Sequence, residues 1–186
     1  MSGTSLAEIR EAEAPPAIAA IYAALNNGIG IGQVNLIWRH AAALPGVLDW
    51  LWAQAAPALA SGAAAAARDS VAAAMDLPPA ARLTAFAGRA AIAELVEVYH
   101  RGNATNLSLL TAILLRHEGM APGQPLTPAP RGAMLPAPPP LPRLAALPEE
   151  TRAQILGLTA AHGLSDARSE EHTSELQSPA MISYAV

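Results

Sequence analysis

The residue type best placed for chemistry in this chain is asparagine at a helix joint. Tyr99–Glu118 reads YHRGNATNLSLLTAILLRHE. The Arg101–Gly102–Asn103 run predicts a break between two helices, with Gly102 as a left-handed cap and Asn103 capping the next helix. An amide at such a joint faces either a ligand or the backbone of its own helix, and both readings stand at this level. Other chemistries are harder to build. The chain has no cysteine, which removes disulfides, thiolate nucleophiles and thiolate metal sites. His40, His100, His117 and His162 lack HExxH or any other close metal spacing. No Gly-x-Ser-x-Gly elbow is present. Gly28–Gly32 is GIGIG, but no strand pattern precedes it and no Lys-Ser/Thr follows, so it reads as a flexible helix–helix connection, not a phosphate loop.

The elements that would hold Asn103 follow from apolar spacing. Residues 1–14 predict a short helix or a loose arm. Pro15–Pro16 suits a first helical turn, and Ile18, Ile21, Tyr22 and Leu25 give one face. Gln33–Ala43 predicts a short helix with Val34, Ile37, Trp38 and Ala41 on one side, and Leu44–Pro45–Gly46 ends it. Val47–Ala60 carries Leu48, Leu51, Trp52, Ala55 and Leu59, with Pro57 expected to end or bend its last turn. Trp50 falls off that stripe and should be partly exposed or meet another element. A polyalanine helix runs to Met75, and Asp76–Pro79 stops it. The next helix, Ala80–Arg101, should bury Leu83, Phe86, Ala90, Leu95, Val98 and Tyr99, with Glu97–Arg101 an i,i+4 pair on a solvated face. In the helix that follows, Leu107, Leu110, Thr111 and Leu114 form the expected buried stripe.

Composition agrees with an all-α chain. Of 186 residues 52% are hydrophobic but only 4% aromatic, so alanine and leucine must carry the packing. The formal net charge is -4, with no basic cluster, which argues against nucleic acid as a partner. No apolar run is long enough to span a membrane, and the acidic amino terminus does not resemble a signal peptide, so a cytoplasmic protein is expected.

Most of the 17 prolines lie between Pro122 and Pro148, which predicts an extended, semi-rigid connector. Pro148–Glu149–Glu150 then opens another helix, with Ile155, Leu156 and Leu158 continuing it and Ala161–His162–Gly163 ending it. This copies the opening of the first half and reads as the first helix of a second repeat. Arg168–Ser178, RSEEHTSELQS, and Ile182–Val186, ISYAV, resemble the two constant parts of a translated sequencing adapter. That tail, which contains His172, is set aside as a disordered artefact. The expected organisation is a first helical repeat over 1–121, a linker over 122–147, the start of a second repeat over 148–167, and the tail over 168–186.

Ile21–Trp52 (IYAALNNGIGIGQVNLIWRHAAALPGVLDWLW) and Tyr99–Pro122 (YHRGNATNLSLLTAILLRHEGMAP) resemble the DehI-type 2-haloacid dehalogenase family. The resemblance implies an all-α helical bundle that forms one repeat of a two-repeat pseudo-dimer, with the second repeat incomplete. It implies a cofactor-free hydrolase of short 2-haloalkanoic acids, in which a carboxylate activates a water that attacks the α-carbon directly. Under this resemblance Asn103 orients water or substrate, and Asn35, Leu36 and Trp38 line the pocket. The catalytic aspartate matches Asp166 in HGLSDA, or else falls beyond the tail junction. The residues themselves also admit blander roles: Asn103 as a helix cap, Trp38 as core, Asp166 as a solvated residue after a helix stop. The alternative to an enzyme is a helical module that binds another small acid or a protein. In either case an apolar face should remain through which a second copy could pair. Alkylhydroperoxidase-like redox chemistry is excluded by the lack of cysteine.

Overall fold

A computed structural model describes residues 7–75, 89–120, 123–139 and 144–161. Among these residues there are six α-helices and one isolated β-bridge, and the architecture is all-α. The chain divides into two units, Met1–Pro138 and Pro139–Val186.

In the first unit α1 spans Pro16–Ile29. Pro16 starts it where a missing N–H costs nothing, and Gly30 ends it at φ 84° with its N–H donating to Asn26 O at 2.8 Å. Tyr22, Leu25 and Ile29 are buried along its inner face. The GIGIG connector is a packed joint, not a flexible one. Ile31 is buried and forms a parallel bridge with Leu135, whose N–H donates to Gly30 O at 2.9 Å. A Cβ on Gly32 would stand 2.6 Å from the Ala137 backbone nitrogen, so only glycine admits the chain there.

Residues 7–14 are likewise held, not loose. Ile9 N–H donates to Arg39 O at 3.1 Å, the Tyr22 hydroxyl donates to Ile9 O at 2.9 Å, and Glu11 accepts from Val34 N–H at 2.8 Å. Glu11–Glu13 forms one 3-10 turn.

Helix α2 spans Leu36–Ala42, starting later than Gln33 because Asn35 caps it. Helix α3 spans Val47–Ser61 and continues through Pro57 for another turn; α4 spans Ala63–Ala74. Trp50 is exposed, as its place off the stripe implies, and meets the His117 ring edge-on with centroids 6.4 Å apart. Small side chains at Ala64, Ala65 and Ala66 are buried, and α4 packs chiefly on α5.

Helix α5 spans Arg89–His117 without interruption, which overturns the expected joint at Arg101–Asn103. Gly102 is not among the glycines with positive φ. Its lack of a side chain serves packing instead: a Cβ there would lie 2.9 Å from Ile31 Cδ1. Glycine therefore lets α5 press on the connector, and the helix continues because no left-handed residue stops it.

The expected apolar stripe is also on the wrong side. Leu107 and Leu114 are 42% and 56% exposed, Thr111 is exposed, and Leu110 is half-buried. The buried face consists of Val98, Gly102, Thr105, Asn106 and Leu109. Ala90 is exposed; Leu95 and Tyr99 are half-buried; Leu83 and Phe86 lie outside the described residues.

Arg101 makes its i,i+4 pair with Glu97 at 3.0 Å, but its side chain is only 11% exposed. The guanidinium also donates to Gly30 O at 3.2 Å and Ala133 O at 2.5 Å. It joins α5, the connector and the proline-rich strap at one point, so the expected solvated pair is a structural clasp. The described strap residues 123–139 contain no helix, consistent with their proline content, and Ala129 N–H donates to Gly62 O at 3.2 Å.

In the second unit, Leu144–Ala146 forms a 3-10 turn with Leu144 buried, and α6 spans Glu149–Ala161 as the sequence predicts. Glu149 and Glu150 sit in its first turn, where the helix dipole favours acids, and Glu149 pairs with Arg152. Asp166 and the adapter-like tail lie outside the described residues. No helix among the described residues is long and apolar enough to cross a membrane.

Candidate functional site

Where α2 begins against the middle of α5, Asn35 meets Asn103 and Trp38 meets Asn106. Asn35 supplies the N-cap: its Oδ1 accepts from Ile37 N–H at 3.2 Å. Its Nδ2 then donates to Asn103 Oδ1 at 2.9 Å, a contact across 68 residues of sequence. One helical step further in, Trp38 is fully buried, and its Nε1–H donates to Asn106 Oδ1 at 2.8 Å. Leu36 is buried beside them in sequence at the first position of α2.

The direction of every bond in this network is fixed by its donors. A backbone N–H and an indole N–H can only donate. Ile37 N–H therefore requires the oxygen of Asn35, which turns the Asn35 nitrogen toward Asn103 and obliges Asn103 to offer oxygen. Trp38 Nε1–H likewise requires the oxygen of Asn106. Two amide nitrogens are left over, Nδ2 of Asn103 and Nδ2 of Asn106. The second is buried without a hydrogen-bond partner, as is Thr105 Oγ1. An unmet buried donor costs about 1–3 kcal/mol, so the arrangement favours anything that brings an acceptor.

Asn103 thus does not cap a helix, since it lies inside α5. Asn106 is the residue the sequence reading missed. The available signal was two asparagines at i and i+3 in one helix, positions that share a face. Trp38 is a core residue, and its indole N–H donates within that core.

Elsewhere an open depression of about 580 Å³ is lined by Asn27, Leu59, Ser61, Gly62, Ala129 and Arg131, among others. None of the four residues at the α2–α5 contact lines it. Among the described residues no three of His, Asp and Glu gather as a metal site. Asp166, outside those residues, is not placed relative to Asn103. Compared with known proteins, the chain matches no family model, no curated protein and no solved structure.

Proposed function

We propose that the chain is part of a cofactor-free hydrolase of short 2-haloalkanoic acids, acting in the cytoplasm, with the α2–α5 contact contributing one wall of its site. The observation that carries this reading is the 2.9 Å Asn35–Asn103 bond, which fixes the Asn103 amide and leaves its nitrogen to hold an acceptor. In this reaction the Asn103 amide holds a water or the substrate, and a carboxylate removes the water's proton as its oxygen bonds to the α-carbon. The carbon–halogen bond breaks, and the halide leaves with the bonding pair. Asp166 is the proposed base, with a second-repeat aspartate absent from this sequence as its alternative. One repeat with part of a second supplies half of such a pocket, so weak or no activity is expected of this chain. Pairing with a second copy through the exposed Val96, Leu107 and Leu114 is part of the same proposal. The test is halide release from 2-chloropropionate, by this chain and by a version carrying a complete second repeat. Release that is lost in Asn103→Ala supports the reading, and no release from the folded, completed protein overturns it.

A non-catalytic helical module is favoured by a different feature of the same contact. Asn35 is already used as a cap and Asn103 as its partner, so the network has a structural role even with nothing bound. That reading expects Asn103→Leu to lower the melting temperature without changing binding of any small acid.

A further inference from the structure

We infer that Asn106, with Asn103, forms a donor-only recognition site for the carboxylate of a small monocarboxylic acid; this rests on the proposed small-acid reading but assigns the binding to a residue that reading does not use. Asn106 is 4% exposed, and its Nδ2 is buried with no partner. Its orientation is not free, because Trp38 Nε1–H holds Oδ1 at 2.8 Å and a flipped amide would set donor against donor. Asn103 is held in the same sense by Asn35. Asn103 and Asn106 stand three residues apart on one helix, neighbours across a turn, and Asn103 is half-buried.

Two fixed donors with no acceptor of their own select an acceptor-rich partner. A carboxylate offers about four lone-pair directions on two oxygens and needs no donor in return. A water satisfies the same two amides but then needs acceptors for its own hydrogens. Local charge does not decide the choice: Arg101 is paired with Glu97 at 3.0 Å and Arg39 with Glu8 at 3.2 Å, and Glu11 accepts from Val34 N–H at 2.8 Å, so the selection rests on the two donors. Charge-assisted bonds from amides to a carboxylate are shorter and stronger than those to a neutral acceptor.

The test uses the whole chain labelled with ¹⁵N, titrated with propionate, 2-chloropropionate and sodium chloride at matched ionic strength. Both carboxylates should move the side-chain amide signals of Asn103 and Asn106 together, with one saturating constant, and chloride should move neither. Asn106→Asp keeps the acceptor for Trp38 but replaces the donor with a second oxygen, so carboxylate affinity should fall tenfold or more. The wild-type titration decides the matter even if that variant fails to fold. Carboxylate-induced shifts in this chain, with no halide release from the folded, completed protein, keep this inference and remove the hydrolase reading. Amide signals that ignore both carboxylates, or that respond equally to chloride, overturn it.

Discussion

The two faces of α5 invert the usual relation between hydropathy and burial. Its leucine-rich side, with Val96, Leu107, Leu114 and Leu115, is exposed, and its inner side is Val98, Gly102, Thr105, Asn106 and Leu109. The inner side was chosen by what it must touch. Gly102 makes room for Ile31, Asn106 meets Trp38, and neither contact could be made by a leucine. Hydrophobic transfer is proportional to area removed from water, but which area is removed depends on the neighbours that arrive. A helix with two apolar sides is therefore oriented by shape and hydrogen bonding.

The comparison breaks first at Trp38. Trp38→Ala should cost about 3–5 kcal/mol of stability through the cavity it leaves, with Asn106 losing its donor besides. Chemical denaturation of the full chain measures it, and a loss under about 1 kcal/mol would mean that the inner face is not the structural one.

Gly102 gives the next largest effect and a graded one. Gly102→Val should destabilise by about 1–3 kcal/mol, because its branched side chain must displace Ile31. Gly102→Ala should lie near neutral: its Cβ meets only the mobile end of Ile31, and alanine improves helix propensity by about 1 kcal/mol. Equal effects from the two substitutions would show that close packing is not why glycine stands there.

Titration sharpens the picture from the opposite wall of the core. Burial raises the Tyr22 hydroxyl from its ordinary value of 10.0 to about 12, with Arg39 opposing and Glu11 and Glu8 adding to the rise. The folded state therefore holds this proton more tightly than the unfolded chain. Stability from this group is complete below pH 10 and is lost as pH rises towards 12. Tyr22→Phe should abolish that alkaline component, seen as a melting temperature that no longer falls across the same window beyond what the other groups cause.

The smallest effect belongs to the outer leucines. Leu107→Gln and Leu114→Gln should each change stability by less than about 0.5 kcal/mol. The same changes should raise solubility, and they should abolish any concentration-dependent dimer seen by light scattering. A loss above about 2 kcal/mol would show that the face is covered in solution.

Helices α1, α3, α4 and α6 were legible within a few residues, because proline, glycine and apolar spacing act over one or two turns. The site was half legible. Asn35 and Asn103 could be named, but the bond between them spans 68 residues, and no local pattern encodes a contact at that distance. Asn106 was missed for the same reason: its role depends on an indole arriving from α2. At Gly102 the local signal misled, since glycine caps helices and also admits close neighbours, and only the presence of Ile31 selects between the two.

By itself the sequence determined an all-α chain without thiol chemistry, a proline-rich extended strap, and the ends of α1, α3, α4 and α6 to within a few residues. These follow from backbone propensities that each residue carries with it. The tertiary structure decided which side of α5 faces inward, that GIGIG and the strap close on each other through Arg101, and that the Asn106 amide donor is left unmet in the core. Those outcomes depend on pairwise shape and donor–acceptor matching between distant segments, which come into being only when the helices pack.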